Sequence, residues 1–427
     1  MKGGVFLSIA VVQSVAERME NVSKEQLPAL HKGASSLFAT HITRRKLMGI
    51  IAATGVTTGL SPVLGGLAAA QDGTPAAEPV PGPRDDGTNL WKVVVGGMDM
   101  ETGTDLQAFF PGEITVNAGD AVYFAFSPMG MPGFHTVTFT SGEPVPPLQV
   151  PDIVEGTPVA SPEGPPRLIV NPEVAWPDGR DSYDGTGLLN SGIDVFRADA
   201  GPYVVTFTTP GTYDYQCVPH ASVMKARVIV QEAGAELPND QAAYDAQAAD
   251  ERAALIEEGQ AAIAAYGEGT STPSADGAST TWDVAAGVGG ESQARGMIFA
   301  PKELTIKVGD TVRWTNLTVG EPHTVTFLGG DEQPTDSILE PQPAGPPKLV
   351  QNYQTFLPSG DPEFDGNGYR NSGFMGLPPE INEMMGLVGD TWELTFTAAG
   401  EYPYYCVLHA SGPDATSGMV GKVIVTE

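Results

Sequence analysis

The chain has 427 residues and a formal net charge of -30 at pH 7. Its first 70 residues hold 7 of the 22 Lys and Arg and 3 of the 52 Asp and Glu, so the remainder sets 15 basic against 49 acidic groups. Such a surface repels nucleic acid and anionic lipid and favours basic partners, while the length suits two or three domains, each with its own core.

The N-terminus reads as an address. Thr43-Arg44-Arg45-Lys46-Leu47 is a twin-arginine pattern, and the apolar, Gly- and Ala-rich run from Leu47 to Ala70 closes on three alanines before Gln71. This resembles a twin-arginine export signal with a small-residue cleavage site. Pro62 and several glycines make the run a poor spanning helix, so no stable membrane insertion is expected after cleavage. Residues 1–42 are more than such a signal needs, as a start codon placed too far upstream would produce. Residues 71–88 form a Pro-, Gly- and Asp-rich linker.

An internal repeat follows. Leu106–Phe126 (LQAFFPGEITVNAGDAVYFAF) matches Ala294–Asn316 (ARGMIFAPKELTIKVGDTVRWTN), each with two alternating stretches about a Gly-Asp turn. His-Thr-Val-Thr-Phe comes next in both. PPRLIVNP then pairs with PPKLVQNY, YDGTGLLNSG with FDGNGYRNSG, and YVVTFTTPGTYDYQC with WELTFTAAGEYPYYC. Short strands bounded by Gly and Pro turns predict an all-β chain of two antiparallel sandwiches, at 89–232 and 281–427. The stretch between them, 233–280, predicts one helix over Asn239–Tyr266, capped by Asn239 and stopped by Gly267, then a flexible tether. Its sparse apolar positions mark a spacer packed lightly on one domain.

Chemistry concentrates on scarce residues. The chain has 6 His and 2 Cys, and beyond the signal stand just His135, His220, His323 and His409. Each repeat carries an upstream His, a Cys, a second His three positions on, and a later Met. The sets are His135, Cys217, His220 and Met224, then His323, Cys406, His409 and Met419. Thiolate, imidazole and thioether together suit copper. Period-2 alternation puts His135, Val137 and Phe139 on one strand face and Tyr213, Tyr215 and Cys217 on another, so both donors close strands at one end of a sandwich.

The pattern Gly-x-Tyr-x-Tyr-x-Cys-x2-His with a following Met and an upstream His resembles the plastocyanin/azurin group of blue copper proteins, the cupredoxins. The resemblance covers about 300 residues in two copies. It implies Greek-key sandwiches with a type 1 copper at one pole of each, two coppers in all. Two His and the Cys would form the trigonal set and the Met the weak axial ligand. It also implies electron carriage to and from redox partner proteins, such as a c-type cytochrome or a membrane oxidoreductase, in the periplasm or outside the cell. The loop His would reach the surface through an apolar collar (Pro219 and Ala221 about His220, Leu408 and Ala410 about His409) and serve as the electron port.

The chain departs from that pattern twice. Three residues separate His220 from Met224 and nine separate His409 from Met419, although both Met stand four positions before a Val-Ile-Val strand. Met129 or Met131 competes near the first set, and Met375, Met384 or Met385 near the second. A Pro-rich insertion also lies between the first His and the Cys, at about 141–197 and 329–389, and is expected to form a flap over the pole. Asp178, Asp181 and Asp184 within it read as tight turns rather than a calcium loop. No histidine is left over for a catalytic copper, and Val218 and Val407 follow the cysteines, which argues against an oxidase or nitrite reductase. Copper storage or delivery and a Cys217–Cys406 disulfide are the competing readings.

Overall fold

The computed structural model describes residues 78–427, apart from 100, 127–133, 163, 197–201, 268, 276 and 412–416. The export pattern and Met129 and Met131 lie outside the described residues.

Each repeat folds into a β-sandwich. In the first, one sheet is centred on strands Asn89–Val95, Ala121–Phe126 and Tyr203–Phe207. The other contains Thr138–Phe139, Gly211–Gln216, Lys225–Gln231 and Glu113–Asn117. Tyr203, Val205 and Phe207 alternate inward, as a half-buried strand requires. They meet Trp91, Phe124, Phe139 and Tyr215 in one apolar cluster, with the Phe139 and Tyr215 rings 4.9 Å apart. The second repeat reproduces this with Thr280–Gly290, Thr311–Thr318 and Thr391–Phe396 facing Glu303–Lys307, Ser417–Thr426, Gly400–Ser411 and Thr326–Phe327. Its core gathers Trp314, Phe327, Phe396 and Tyr404. Burying each such ring contributes roughly 1.5–3 kcal/mol.

The Gly-Asp turn is a staple in both copies. Asp120 accepts from the Trp91 indole at 2.9 Å and from the Asn117 amide at 3.0 Å. Asp310 does the same for Trp282 at 3.1 Å and Lys307 at 3.0 Å.

The sandwiches clasp one another. Strand Thr104–Leu106, early in the first repeat, pairs antiparallel with Ala294–Ala300 and so extends a sheet of the second. The insertions do not form separate flaps. Leu168–Val170 of the first meets Lys348–Gln351 of the second with Ile169 opposite Val350, inside a four-stranded sheet flanked by Gln149–Pro151 and Ser337–Glu340. These are equivalent segments of the two copies. A strand edge left open in one copy finds its partner in the same edge of the other, antiparallel as a local two-fold demands. Lys348 Nζ reaches the buried Asp152 carboxylate at 2.5 Å across this seam.

The helix also belongs to both repeats. It spans Gln241–Tyr266 and is capped by Asp240, one residue beyond the expected Asn239, whose carboxylate accepts from the Ala243 amide at 2.9 Å. Gly267 ends it at φ 70°. Tyr244 is buried on the first sandwich, its hydroxyl accepting from the Thr115 amide at 2.8 Å. Ile263 and Tyr266 pack on Ala285, Val288 and Ala300 of the second. The sparse apolar positions that suggested a spacer are therefore divided between two surfaces. No described helix is long and apolar enough to cross a membrane.

Candidate metal centres

The His strand and the Cys strand are neighbours, with Phe139 opposite Tyr215 and Thr138 opposite Gln216. Their ends place His135 and Cys217 side by side, and the turn after Cys217 returns His220. His135 Nδ1 lies 3.1 Å from His220 Nδ1, and Cys217 Sγ lies 3.7 and 3.4 Å from the two nitrogens. In the second repeat His323 and His409 are 3.1 Å apart at Nδ1, and Cys406 Sγ is 4.0 and 3.4 Å away. Triangles with these edges put their centres about 2 Å from every donor, the length of a metal–nitrogen or metal–thiolate bond. Among the described residues these are the two groups of three or more His, Cys, Asp and Glu able to hold a metal ion. Both cysteines are free and buried in separate cores, which removes the disulfide reading.

The methionines sit differently. Met224 is fully buried with Cys217; its amide donates to His220 O at 2.8 Å and its carbonyl accepts from the Cys217 amide at 3.0 Å. Met419 is fully buried in the cluster that holds Cys406, and so is Met375, whose backbone bridges to His323. Met384 and Met385 belong to another cluster.

Several residues that sequence reasoning missed hold the triangles rigid. The amides of Thr136 and Thr324 donate to Cys217 Sγ at 3.4 Å and Cys406 Sγ at 3.3 Å, which stabilises thiolate. Their hydroxyls accept from the Val218 and Val407 amides at 2.8 and 2.9 Å, closing the loop after each Cys. The repeated Asn-Ser-Gly ends each insertion as a strand beside the His strand. Ser191 and Ser372 accept from the Val137 and Val325 amides, both at 2.8 Å. Asn190 accepts from Thr138 at 2.8 Å and donates to the carbonyls of Glu173 and Val174. Its presence in both copies was the available signal. Behind each upstream imidazole is a glycine: a Cβ on Gly96 or Gly287 would lie 2.3 Å from Nε2 of His135 or His323. Asp178 and Asp184 fold back on Arg180 and Thr186, as turns do.

The electrostatics prepare the upstream imidazoles and the Cys406 sulfur for a metal. Burial, aided by His220, lowers His135 to about 3, and burial likewise lowers His323, so both upstream imidazoles stay neutral. Burial disfavours the Cys406 thiolate, yet His409 and His323 outweigh it and hold the thiol well below its usual range. A thiolate beside a neutral imidazole is the protonation state a metal requires.

The expected surface ports are not at the surface. His220 and His409 face one another across the seam, their side chains 7% and 17% exposed, over a cavity of about 150 Å³ lined by both poles. Between them stands Glu321. Its carboxylate oxygens are 3.2 Å from His220 Nε2 and 2.9 Å from His409 Nε2. The reason is the clasp: the edges that join the insertions bring the poles together. Burial opposes the charge, but Cys406 and then Glu321 raise His409 to about 10, and His220 rises for the same causes with Cys217 in place of Cys406.

Comparison with known proteins agrees with this geometry. The family described as "Copper binding proteins, plastocyanin/azurin family" matches residues 97–231 and 285–426. The chloroplastic plastocyanin of Chlamydomonas reinhardtii is 33% identical over 127 residues, covering 30% of this chain and 57% of that protein. That of Tetradesmus obliquus is 30% identical over 129 residues, covering 30% and 59%. The chain thus spans somewhat over half the length of these relatives. Among solved structures, an amicyanin variant in its oxidized state is 24% identical, covering 37% of this chain and 92% of that one, with a TM-score of 0.19.

Proposed function

The chain belongs to the plastocyanin/azurin family of copper-binding proteins, and from that premise we propose that it is an exported electron carrier with two type 1 copper sites. His135, Cys217 and His220 hold one metal with Met224 as axial donor, and His323, Cys406 and His409 the other with Met419. The single observation behind this reading is the pair of closed, buried His-Cys-His triangles. Copper bound there supplies one-electron chemistry. The chain supplies the rest. Thiolate and imidazole together favour neither oxidation state's preferred shape, and strands fix them so that little moves when an electron arrives. The Thr136 and Thr324 amides on sulfur tune the potential, while the apolar cores exclude water.

The acidic surface fits partners with a basic docking face, and the twin-arginine pattern fits a site of action outside the cytoplasm. His409 keeps the larger exposure, so exchange with a partner is assigned to the second site. The test is the visible spectrum and metal content of Cys217→Ser and Cys406→Ser. Each is expected to retain one copper and about half the blue absorption, with reversible cycling. A colourless, copper-free wild type refutes the reading.

A further inference from the structure

We propose that Glu321 wires the two sites into one unit, carrying an electron between them through His220 and His409. This rests on the copper reading above and goes past it, because two carriers in one chain need not communicate.

The geometry leads to this through the imidazole ring. Each loop histidine turns Nδ1 toward its own Cys, at 3.4 Å in both sites, which leaves Nε2 on the opposite edge. Both Nε2 atoms meet the same carboxylate, one oxygen each. An ionised carboxylate can only accept, so each ring donates Nε2–H to it, and that hydrogen bond fixes the tautomer that leaves Nδ1 free for metal. The path from one donor triangle to the other is therefore a ring, a hydrogen bond, one carboxylate, a hydrogen bond and a ring.

Glu321 is held in this pose. It is 6% exposed. Its backbone carbonyl accepts from Asn316 Nδ2 at 2.8 Å and Thr318 Oγ1 at 3.1 Å, and Gln107 of the first repeat donates to its carboxylate at 2.8 Å. Gln293 Nε2 reaches Val223 O in the turn between His220 and Met224 at 3.0 Å, which pins the first loop against the second repeat. The positions equivalent by repeat are not equivalent in sequence: Glu321-Pro322-His323 faces Gly133-Phe134-His135. One carboxylate serves two sites, where two would repel at that separation.

The step balances as a single electron leaving copper(I) at one site and reducing copper(II) at the other. Both Nε2 protons stay where they are, so no proton is exchanged with solvent.

The test uses the full copper-loaded chain. Spectra of Cys217→Ser and Cys406→Ser give each site's own absorption. A substoichiometric pulse of a small inorganic reductant is followed by relaxation between the two absorptions. In the wild type a first-order phase independent of protein concentration is expected. Glu321→Gln should keep both blue sites and slow that phase at least tenfold, since an amide presents just one acceptor to two N–H donors. Glu321→Asp, one methylene shorter, keeps the charge but cannot span both contacts, and must slow it as well; it decides the matter if the Gln variant fails to load copper. Proton NMR of the reduced, diamagnetic protein gives a readout free of electron flow: two protected Nε2–H signals in the wild type, at least one lost in Glu321→Gln. An unchanged exchange rate in either variant, or no concentration-independent phase in the wild type, overturns the proposal while leaving two blue coppers in place. Absence of colour in the wild type refutes the copper reading instead.

Discussion

Gly96→Ala isolates the wedge that positions the first upstream histidine. Gly96 has φ +63°, and its added Cβ would meet His135 at 2.3 Å from Nε2 and 2.5 Å from Cδ2. Ordinary contact needs about 3.5 Å, so ring or strand must shift by roughly 1 Å. The left-handed backbone alone costs about 1–2 kcal/mol, and overpacking a filled core adds about 1–3 kcal/mol. The new methyl pushes on the Nε2 edge of a ring whose Nδ1 faces Cys217 and His220, so copper affinity at that site should fall about 10–100-fold, as when a supporting contact is lost. Gly87→Ala is the control: φ is +82° but no atom lies within 4 Å of the new methyl. It should incur the backbone cost alone and bind copper normally. The assay is copper titration with visible spectra, alongside thermal unfolding. Gly287→Ala should transfer the defect to the second site, where the Cβ meets His323 at 2.3 Å. If Gly96→Ala titrates and melts like Gly87→Ala, the wedge is not what sets the imidazole.

Two further outcomes follow from the interior. Asp105 lies in the seam, where burial and then Glu321, against the pull of His220 and His409, raise it from 3.8 to about 6. A carboxyl raised in the folded state stabilises most below its unfolded pKa, so metal-free protein should lose about 3 kcal/mol through this group as pH climbs from 4 to beyond 6. Asp105→Asn should flatten that limb of a melting-temperature profile; parallel wild-type and variant profiles refute the assignment. Asn190→Ala removes the acceptor for Thr138 and the donor to Glu173 and Val174, all in a buried setting, at a cost of about 2 kcal/mol. Calorimetry should show the loss, and Asn371→Ala should match it, since Asn371 makes the same bonds to Thr326 and Thr355.

What could be read from residues alone followed from local rules. Alternation placed Tyr215 and Cys217 on one buried face, and duplication fixed two sandwiches, because a strand's period is set by its own backbone. The donor triangles were legible for the same reason: the upstream His leads into one strand and the Cys-x2-His stretch belongs to or follows the strand beside it within one repeat. The seam was not. Whether PPRLIV pairs with PPKLVQ, or the helix touches one sandwich or two, depends on surfaces distant in sequence, and neither period nor composition encodes it. The helix misled because Tyr244 and Ile263 look isolated on one face, yet each is buried, or nearly so, against a different sandwich. The insertions were expected as flaps over the poles, and residues such as Leu148 and Gln351 do line the cavity there; what was not legible is that they pair with each other and that their Asn-Ser-Gly ends buttress the His strand.

The seam also changes what a duplicated carrier means. A single-domain carrier that passes its electron through the loop imidazole, as the family resemblance implies, would have to leave that ring open. Here both rings are spent on one another, and the asymmetry between Glu321 and Gly133 is what allows it. A strictly symmetric duplication would set two carboxylates against each other or none, and either would leave the rings unbridged. The exposure that survives is on the His409 side. On the proposed wiring, an electron entering there would have the first site as an inward neighbour, and that site would be a reserve filled through the second. Physical separation of the repeats would undo this arrangement even if every ligand stayed in place. On that proposal, the clasp of strands, helix and insertions is as much part of the electron path as the donors themselves.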